Sequence, residues 1–144
     1  MRVYLDNCCY NRPFDDQAQL RVRLETEAKL HVQRQMRLGL VEYVWSDMLA
    51  NEVEESSFQE RRERIEPWVL GAAEYVVTTP EIERDSEGFM ALGVKPSDAI
   101  HLASAAFARC DWFLTVDDGI LKKVAHVGEM RVANPLAYIQ ETMP

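Results

Sequence analysis

Short apolar runs alternate along the chain with longer segments in which apolar residues recur every three or four positions. The runs predict β-strands, and the segments between them predict helices with one buried face. We expect strands at residues 2–5, 40–45, 75–77, 112–116 and 131–133. Strands that alternate with helices indicate a parallel sheet covered on both faces. The predicted fold class is therefore α/β, with a parallel sheet of about five strands.

Turn and capping residues set the expected bounds of the helices. A long helix should end at Gly39, with Asp15 or Asp16 as its N-cap. Its apolar positions are Leu20, Leu24, Ala28, Val32 and Met36. Pro80 and Pro96 are well placed as the first residues of two later helices. Because no repeat or linker divides the sequence, we predict a single domain over residues 1–144.

Composition and charge narrow the classes of function. The 144 residues are 47% hydrophobic and 28% charged, as in a globular domain and unlike a disordered chain. The net charge of -8 argues against binding nucleic acid by charge alone. Carboxylates that hold metal ions are still compatible with a phosphate substrate, because the ions supply positive charge. The first residues do not resemble a secretory signal, and we expect a cytoplasmic protein with no membrane contact.

Acidic residues directly follow two of the predicted strands. Asp6 comes after the first strand, and Asp117, with Asp118 beside it, comes after the fourth. Because ligands of open α/β sheets bind beyond the carboxyl ends of the strands, we expect these acids to lie close together. Oxygen-only ligands suit Mg²⁺ or Mn²⁺ better than Zn²⁺. Each acid taken alone also fits ordinary turn chemistry.

Two acids in predicted helices extend this set. Asp98 lies in the first turn of a nearly apolar helix, where an acid also complements the helix dipole. Glu52 lies one turn into the helix after the second strand, and spacing alone does not separate it from Glu55. His101 falls one turn after Asp98 and either reaches the rim of the site or is satisfied within the packing. The thiols Cys8 and Cys9 have no metal-ligand spacing and are expected to be reduced and at least half-buried.

In this order, these pieces resemble a PIN-domain ribonuclease. The resemblance is carried by residues 3–7, 46–52, 96–103 and 113–118, the last including a T-x-D motif. It spans most of the chain, and the order of the pieces is more specific than any one of them. The resemblance implies a three-layer α/β/α PIN-like domain and an endoribonuclease that depends on Mg²⁺ or Mn²⁺.

The family pattern also assigns roles to individual positions. The catalytic and metal-binding acids would be Asp6, Glu52, Asp98 and Asp117. Asp118 is the alternative to Asp117. The pattern also places Asn7 and Thr115 at the substrate, and Arg12 is expected there too, from a segment that the family pattern does not include. Residues 11–17 lie outside the general pattern and form either a loop at the mouth of the site or a turn that enters the long helix.

Many single-domain bacterial members of the family are VapC-type toxins held inactive by a partner and often dimeric. The resemblance therefore implies an RNA substrate, an antitoxin protein and a homodimer. Two other classes stay open: a non-catalytic PIN-like domain that binds RNA or protein, and a phospho-accepting receiver domain. A receiver would have paired acids at the first strand and a late lysine. Because gathered carboxylates repel one another, we also expect Asp6→Asn to leave the metal-free protein at least as stable as the wild type.

Overall fold

The computed structural model describes residues 1–143 as eight α-helices and six β-strands, joined in places by short 3₁₀ segments. The strands are β1 Arg2–Leu5, β2 Glu42–Ser46, β3 Glu74–Val76, β4 Trp112–Leu114, β5 His126–Val127 and β6 Met130–Ala133. The helices are α1 Asn7–Asn11, α2 Leu20–Arg37, α3 Asp47–Glu55, α4 Gln59–Ile65, α5 Pro80–Ala91, α6 Pro96–Phe107, α7 Asp118–Leu121 and α8 Pro135–Thr142. The 3₁₀ segments are Arg12–Phe14 and Glu66–Gly71.

The strands form one sheet in the order β3-β2-β1-β4-β6-β5. All neighbours are parallel except β5, which runs antiparallel to β6. The chain steps outward from β1 through β2 to β3 and then returns past β1 to β4. The strand order therefore reverses between β1 and β4, whose last residues, Leu5 and Leu114, are paired in register.

Alternating residues of β1 enter two separate cores. Val3 and Leu5 belong to the cluster that also contains residues of α1, α2, α3 and α8. Tyr4 belongs to the cluster on the other face, with residues of α5, α6 and α7. All three side chains are fully buried. The sheet is thus the middle layer of an α/β/α sandwich, as the sequence predicted, although β5 was not anticipated.

The start of the long helix differs from the prediction. Helix α2 begins at Leu20, and neither Asp15 nor Asp16 caps it. Asp15 instead forms ion pairs with Arg12 and Arg61. Residues 11–17 thus close the end of α1 and continue as a 3₁₀ turn, but without the Asp15 cap that the helix-entry interpretation included. Leu20 and Leu24 are both exposed, contrary to the prediction, because the buried face of α2 runs through Val22, Glu25 and Lys29 instead.

Two further expectations can be compared with the structure. None of the helices between residues 1 and 143 has both the length and the apolar character needed to cross a membrane.

The three cysteines, Cys8, Cys9 and Cys110, are all free thiols, the first half-buried and the other two buried. A hydrogen bond to Cys9, burial and the Asp6 charge raise the pKa of Cys8 well above its ordinary value, so the thiol stays protonated.

Candidate active site

The carboxyl ends of β1 and β4 form the point where the strand order reverses. In open α/β sheets this is the place where a crevice opens and ligands bind. Asp6 follows β1 directly, and Asp117 lies just beyond β4. The predicted strand-end acids are therefore brought to the same place by the sheet itself.

Asp6 is a fixed carboxylate in this position. Only 4% of the residue is exposed. One oxygen accepts the backbone N–H of Asn7 at 2.8 Å and caps α1. The other oxygen accepts the Thr115 hydroxyl at 2.8 Å and the Cys8 thiol at 3.3 Å. Three donors thus orient a charge that is almost removed from water, which is how a buried carboxylate is made tolerable.

Thr115 joins the two strand ends. Its hydroxyl donates to Asp6 and accepts the backbone N–H of Asp117 at 3.1 Å. The residue is fully buried. The sequence predicted a substrate contact for Thr115, but a buried hydroxyl whose proton is given to Asp6 cannot serve one. Its role in this structure is to position Asp6.

Asp98 occupies the first turn of α6 and is half-buried. Burial raises its pKa from 3.8 to about 6, and the negative charges of Asp6, Asp117 and Glu52 add to the increase. His101 acts in the opposite direction. The fold thus brings the other three predicted acids within electrostatic reach of Asp98. We call Asp6, Glu52, Asp98 and Asp117 the acid cluster.

Glu52 projects from α3, and its carboxylate bonds the Nε2 atom of His101 on α6. The Glu52 side chain is 29% exposed, whereas His101 is fully buried. Burial alone would lower the pKa of His101, but the hydrogen bond to Glu52 and the charges of Asp6, Glu52 and Asp98 outweigh it, so the pKa is raised. His101 is satisfied within the packing, as one interpretation predicted, and its bond to Glu52 also connects it to the acid cluster, as the other predicted. The three-residue step from Asp98 places both side chains on one face of α6, and this spacing was the signal available in the sequence.

The two neighbouring acids after β4 have different surroundings. One oxygen of Asp117 accepts the backbone N–H of Gly119 at 2.7 Å and caps α7. Asp118 is exposed, and Arg21 donates to both of its oxygens. This pairing lowers the pKa of Asp118. Asp117 is therefore the acid that faces the cluster, and it acts on Asp98 electrostatically.

The two remaining residues expected at the substrate, Asn7 and Arg12, have different contacts in the structure. Asn7 is half-buried, and its side-chain oxygen accepts Nδ2 of Asn11 at 3.0 Å. Arg12 is held by internal ion pairs with Glu25, at 2.6 Å, and with Asp15, at 3.1 Å. Glu25 is buried and also pairs with Arg21, so Arg12 is one of two arginines that balance its charge. Arg12 is thus a structural cation here, contrary to the predicted substrate contact.

The acid cluster fits a divalent cation in donor type and in charge. All four side chains offer carboxylate oxygens, the donors that Mg²⁺ and Mn²⁺ prefer. Burial is the largest cause of the raised pKa of Asp98, and the negative charges that add to it are ones that a cation would offset. As positioned among residues 1–143, however, no three His, Cys, Asp or Glu side chains form a ready ligand set.

Comparison with known proteins bears on the fold. No family model matches the sequence, and no curated protein matches it at a significant level. Among solved structures, a chain in the crystal structure of FitAcB from Neisseria gonorrhoeae is similar, with a TM-score of 0.60 and 14% sequence identity. The match covers 93% of this chain and 98% of that chain. The likeness shows a shared α/β/α fold of the PIN-like kind, as the sequence predicted.

Proposed function

We propose that this chain is an endoribonuclease that hydrolyses RNA phosphodiester bonds with Mg²⁺ or Mn²⁺ held by the acid cluster. One observation carries this assignment most directly: burial and three like charges raise the pKa of Asp98 to about 6. A site that gathers carboxylates against their mutual repulsion is suited to a cation. The PIN-like fold and the position at the reversal of strand order support the same assignment.

The residues of the cluster would have distinct tasks. When bound, the cation would polarise the scissile phosphate and lower the pKa of a water molecule. Asp6, already oriented by Thr115 and by the start of α1, would be the rigid ligand. Asp98 would lose its proton when the cation binds, since a protonated carboxyl is a poor ligand. Asn7, at the amino end of α1, would contact the RNA.

A matched pair of variants tests the proposal. Glu52 and Glu55 lie on the same helix and carry the same charge, but Glu55 is exposed and outside the cluster. With Mn²⁺ or Mg²⁺ the wild type should cleave RNA, and EDTA should abolish cleavage. We expect Glu52→Gln and Asp98→Asn to lose more than about tenfold in rate, as loss of a metal-site residue does, and Glu55→Gln to stay near wild type. Wild-type cleavage by Asp98→Asn at saturating metal would show that the site is assigned wrongly.

A second candidate, RNA or protein binding without cleavage, is favoured by one observation. Within residues 1–143 the acids do not form a ready ligand set, and Glu52 is engaged by His101. Calorimetric titration with Mn²⁺, followed by incubation with RNA, separates the two candidates. Mn²⁺ binding together with RNA cleavage supports the ribonuclease. RNA binding without Mn²⁺ binding and without cleavage supports the non-catalytic domain.

We further propose that the chain is the toxin of a toxin–antitoxin pair and acts as a cytoplasmic homodimer. The net charge of -8 and the acid cluster would attract a basic side chain of an antitoxin. Expression without a partner should arrest growth, and Asp98→Asn should not. Co-purification from the native host should recover a small protein, and light scattering should give the mass of a dimer. An active monomer with no effect on growth would count against this role.

A further inference from the structure

Buried polar groups form a continuous chain of hydrogen bonds from the sheet to Glu52. The Tyr4 hydroxyl lies 2.6 Å from Ser46 Oγ and 2.5 Å from His101 Nδ1. The Nε2 atom on the other side of the His101 ring bonds the Glu52 carboxylate. Tyr4, Ser46 and His101 are all fully buried. Since water cannot reach them, these groups must satisfy one another.

The partners of Ser46 determine which group donates and which accepts in each of these hydrogen bonds. Ser46 Oγ already accepts the backbone N–H of Leu49 at 3.1 Å, as the N-cap of α3. Among residues 1–143 its own proton has one acceptor in reach, the Tyr4 oxygen. The Tyr4 proton must then go to Nδ1 of His101, which leaves the imidazole proton on Nε2. With this direction, the protons of Ser46, Tyr4 and His101 each have an acceptor, and the last hydrogen bond is donated to Glu52.

Tyr4 cannot easily move out of this arrangement. Its ring stacks on Phe113 with the ring centres 5.3 Å apart and the planes at 11°. The His101 ring packs edge-on against it, with centres 5.6 Å apart. Tyr4 lies on β1 and Phe113 on β4, so the hydroxyl is placed by the two central strands of the sheet. The sheet thereby fixes the orientation of the His101 ring.

We propose that Tyr4 and His101 are positioning residues for Glu52: Tyr4 fixes the Nε2–H tautomer of His101, and His101 holds the Glu52 carboxylate at the acid cluster. Metal-site carboxylates are commonly oriented by such outer partners. The inference rests on the proposed function, because holding Glu52 matters only if Glu52 binds the cation. The tautomer itself belongs to the metal-free protein and can be tested alone.

The first test measures the tautomer by NMR. Long-range ¹H–¹⁵N spectra of the labelled, metal-free protein at pH 8 distinguish a protonated from an unprotonated ring nitrogen. The signal of His101 is identified by its loss in His101→Gln. We expect Nε2 protonated and Nδ1 unprotonated. A proton on Nδ1, whether alone or together with one on Nε2, would overturn the assignment.

The second test measures Mn²⁺ affinity by calorimetry in two variants of His101. The amide nitrogen of Gln reaches the place of Nε2, whereas that of Asn reaches only the place of Nδ1. His101→Asn should therefore bind Mn²⁺ about 10–100-fold more weakly, the usual loss for an outer partner of a metal ligand. His101→Gln should recover most of that loss. Unchanged affinity in a folded His101→Asn protein, or equal losses in both variants, would overturn the positioning role.

Tyrosine variants supply a matched control. Tyr10 is as buried as Tyr4, but its hydroxyl has no hydrogen-bond partner among residues 1–143. Tyr4→Phe should weaken Mn²⁺ binding several-fold, and Tyr10→Phe should not. Equal affinities of Tyr4→Phe and Tyr10→Phe would count against the role of Tyr4. If the wild type itself binds no Mn²⁺, the proposed function fails, whereas the tautomer is judged by the spectra.

Discussion

The guanidinium group of Arg21 holds both carboxylate oxygens of Asp118, each at 2.8 Å. Among residues 1–143 no cation pairs with the neighbouring Asp117, which is one of the charges that raise the pKa of Asp98. Two adjacent aspartates at the end of one strand are thus directed to different partners. Asp118 faces α2, and Asp117 faces the acid cluster.

This division predicts different effects of two matched substitutions. Asp117→Asn should lower RNA cleavage by more than about tenfold, since a ligand matters at least as much as its outer partners. Asp118→Asn should stay within a few-fold of wild type, because it loses only an exposed pair with Arg21. Initial rates at saturating Mn²⁺ measure both. Equal or reversed losses would place the metal at Asp118.

Asp6→Asn should destabilise the metal-free protein, contrary to the expectation from charge alone. An amide that still caps α1 would turn its NH₂ group toward Thr115 and Cys8. These two groups could then donate only to each other, so that one of their protons would lack an acceptor. A buried donor left unsatisfied costs about 1–3 kcal/mol. Relief of repulsion at a half-exposed Asp98 is worth only about 1 kcal/mol. Urea unfolding in EDTA should therefore show a lower midpoint for Asp6→Asn.

Thr115 provides the companion measurement for this prediction. Thr115→Val removes the donor and should destabilise the protein as well, whereas Thr115→Ser keeps the hydroxyl and should lose less. If Asp6→Asn and Thr115→Val both unfolded at the wild-type urea concentration, the buried carboxylate would not need its donors.

Asp98 should make stability depend on pH. Its pKa is about 6 in the folded protein against 3.8 as the reference value, so the folded state binds more protons between these values. The contribution of Asp98 to the free energy of unfolding therefore falls as the pH rises from about 4 to about 6, and it stays constant at higher pH. This pKa shift corresponds to a change of at most ~3 kcal/mol in the free energy of unfolding. Solvent screening at a half-exposed carboxyl reduces the change to about 1 kcal/mol.

Asp98→Asn isolates this contribution, because the other titrating groups are common to both proteins. In EDTA, the stability of the variant relative to the wild type should increase between pH 4 and pH 7. Urea unfolding at several pH values measures the difference. Parallel stability curves for the two proteins would mean that Asp98 has an ordinary pKa.

The same carboxyl should couple metal binding to proton release. Below about pH 6 the Asp98 proton must leave before the carboxylate can bind a cation, so affinity should fall by up to ~tenfold per pH unit. Calorimetry in two buffers of different ionisation enthalpy counts the protons released on Mn²⁺ binding. We expect nearly one proton from this group at pH 5 and almost none at pH 7.5. Binding at pH 5 without proton release would contradict the assignment of Asp98 as a ligand.

Elements with strong local signals were predictable from the sequence. Pro80 and Pro96 do begin α5 and α6, and the strand bounds of β1 are as predicted. Helix α1 was missed because Asn, Cys and Tyr are weak helix formers, and its order depends on the Asp6 cap and on burial of Cys9 and Tyr10. Tertiary contacts of that kind leave no periodic pattern in so short a segment.

The predicted acids were easier to locate than their partners. An acid after a strand or in the first turn of a helix has a position in the sheet that sequence order fixes. Whether Arg12 turns to a substrate or to Glu25 depends on where α2 packs, and no spacing encodes that. The contact between Tyr4 and His101 likewise spans 97 positions of sequence, beyond the reach of a local pattern.

The pairing of β1 with β4 has a consequence for how the protein is made. Val3 pairs with Trp112 and Leu5 with Leu114, so the central strand gains its second neighbour only after most of the chain has left the ribosome. Contacts of such long sequence separation also form slowly, because a large loop must close first. Until translation has passed Asp117, Asp6 has no Thr115 to orient it, and the two strand ends cannot meet. A growing chain is thus unable to assemble the acid cluster, which forms only in the last stage of synthesis.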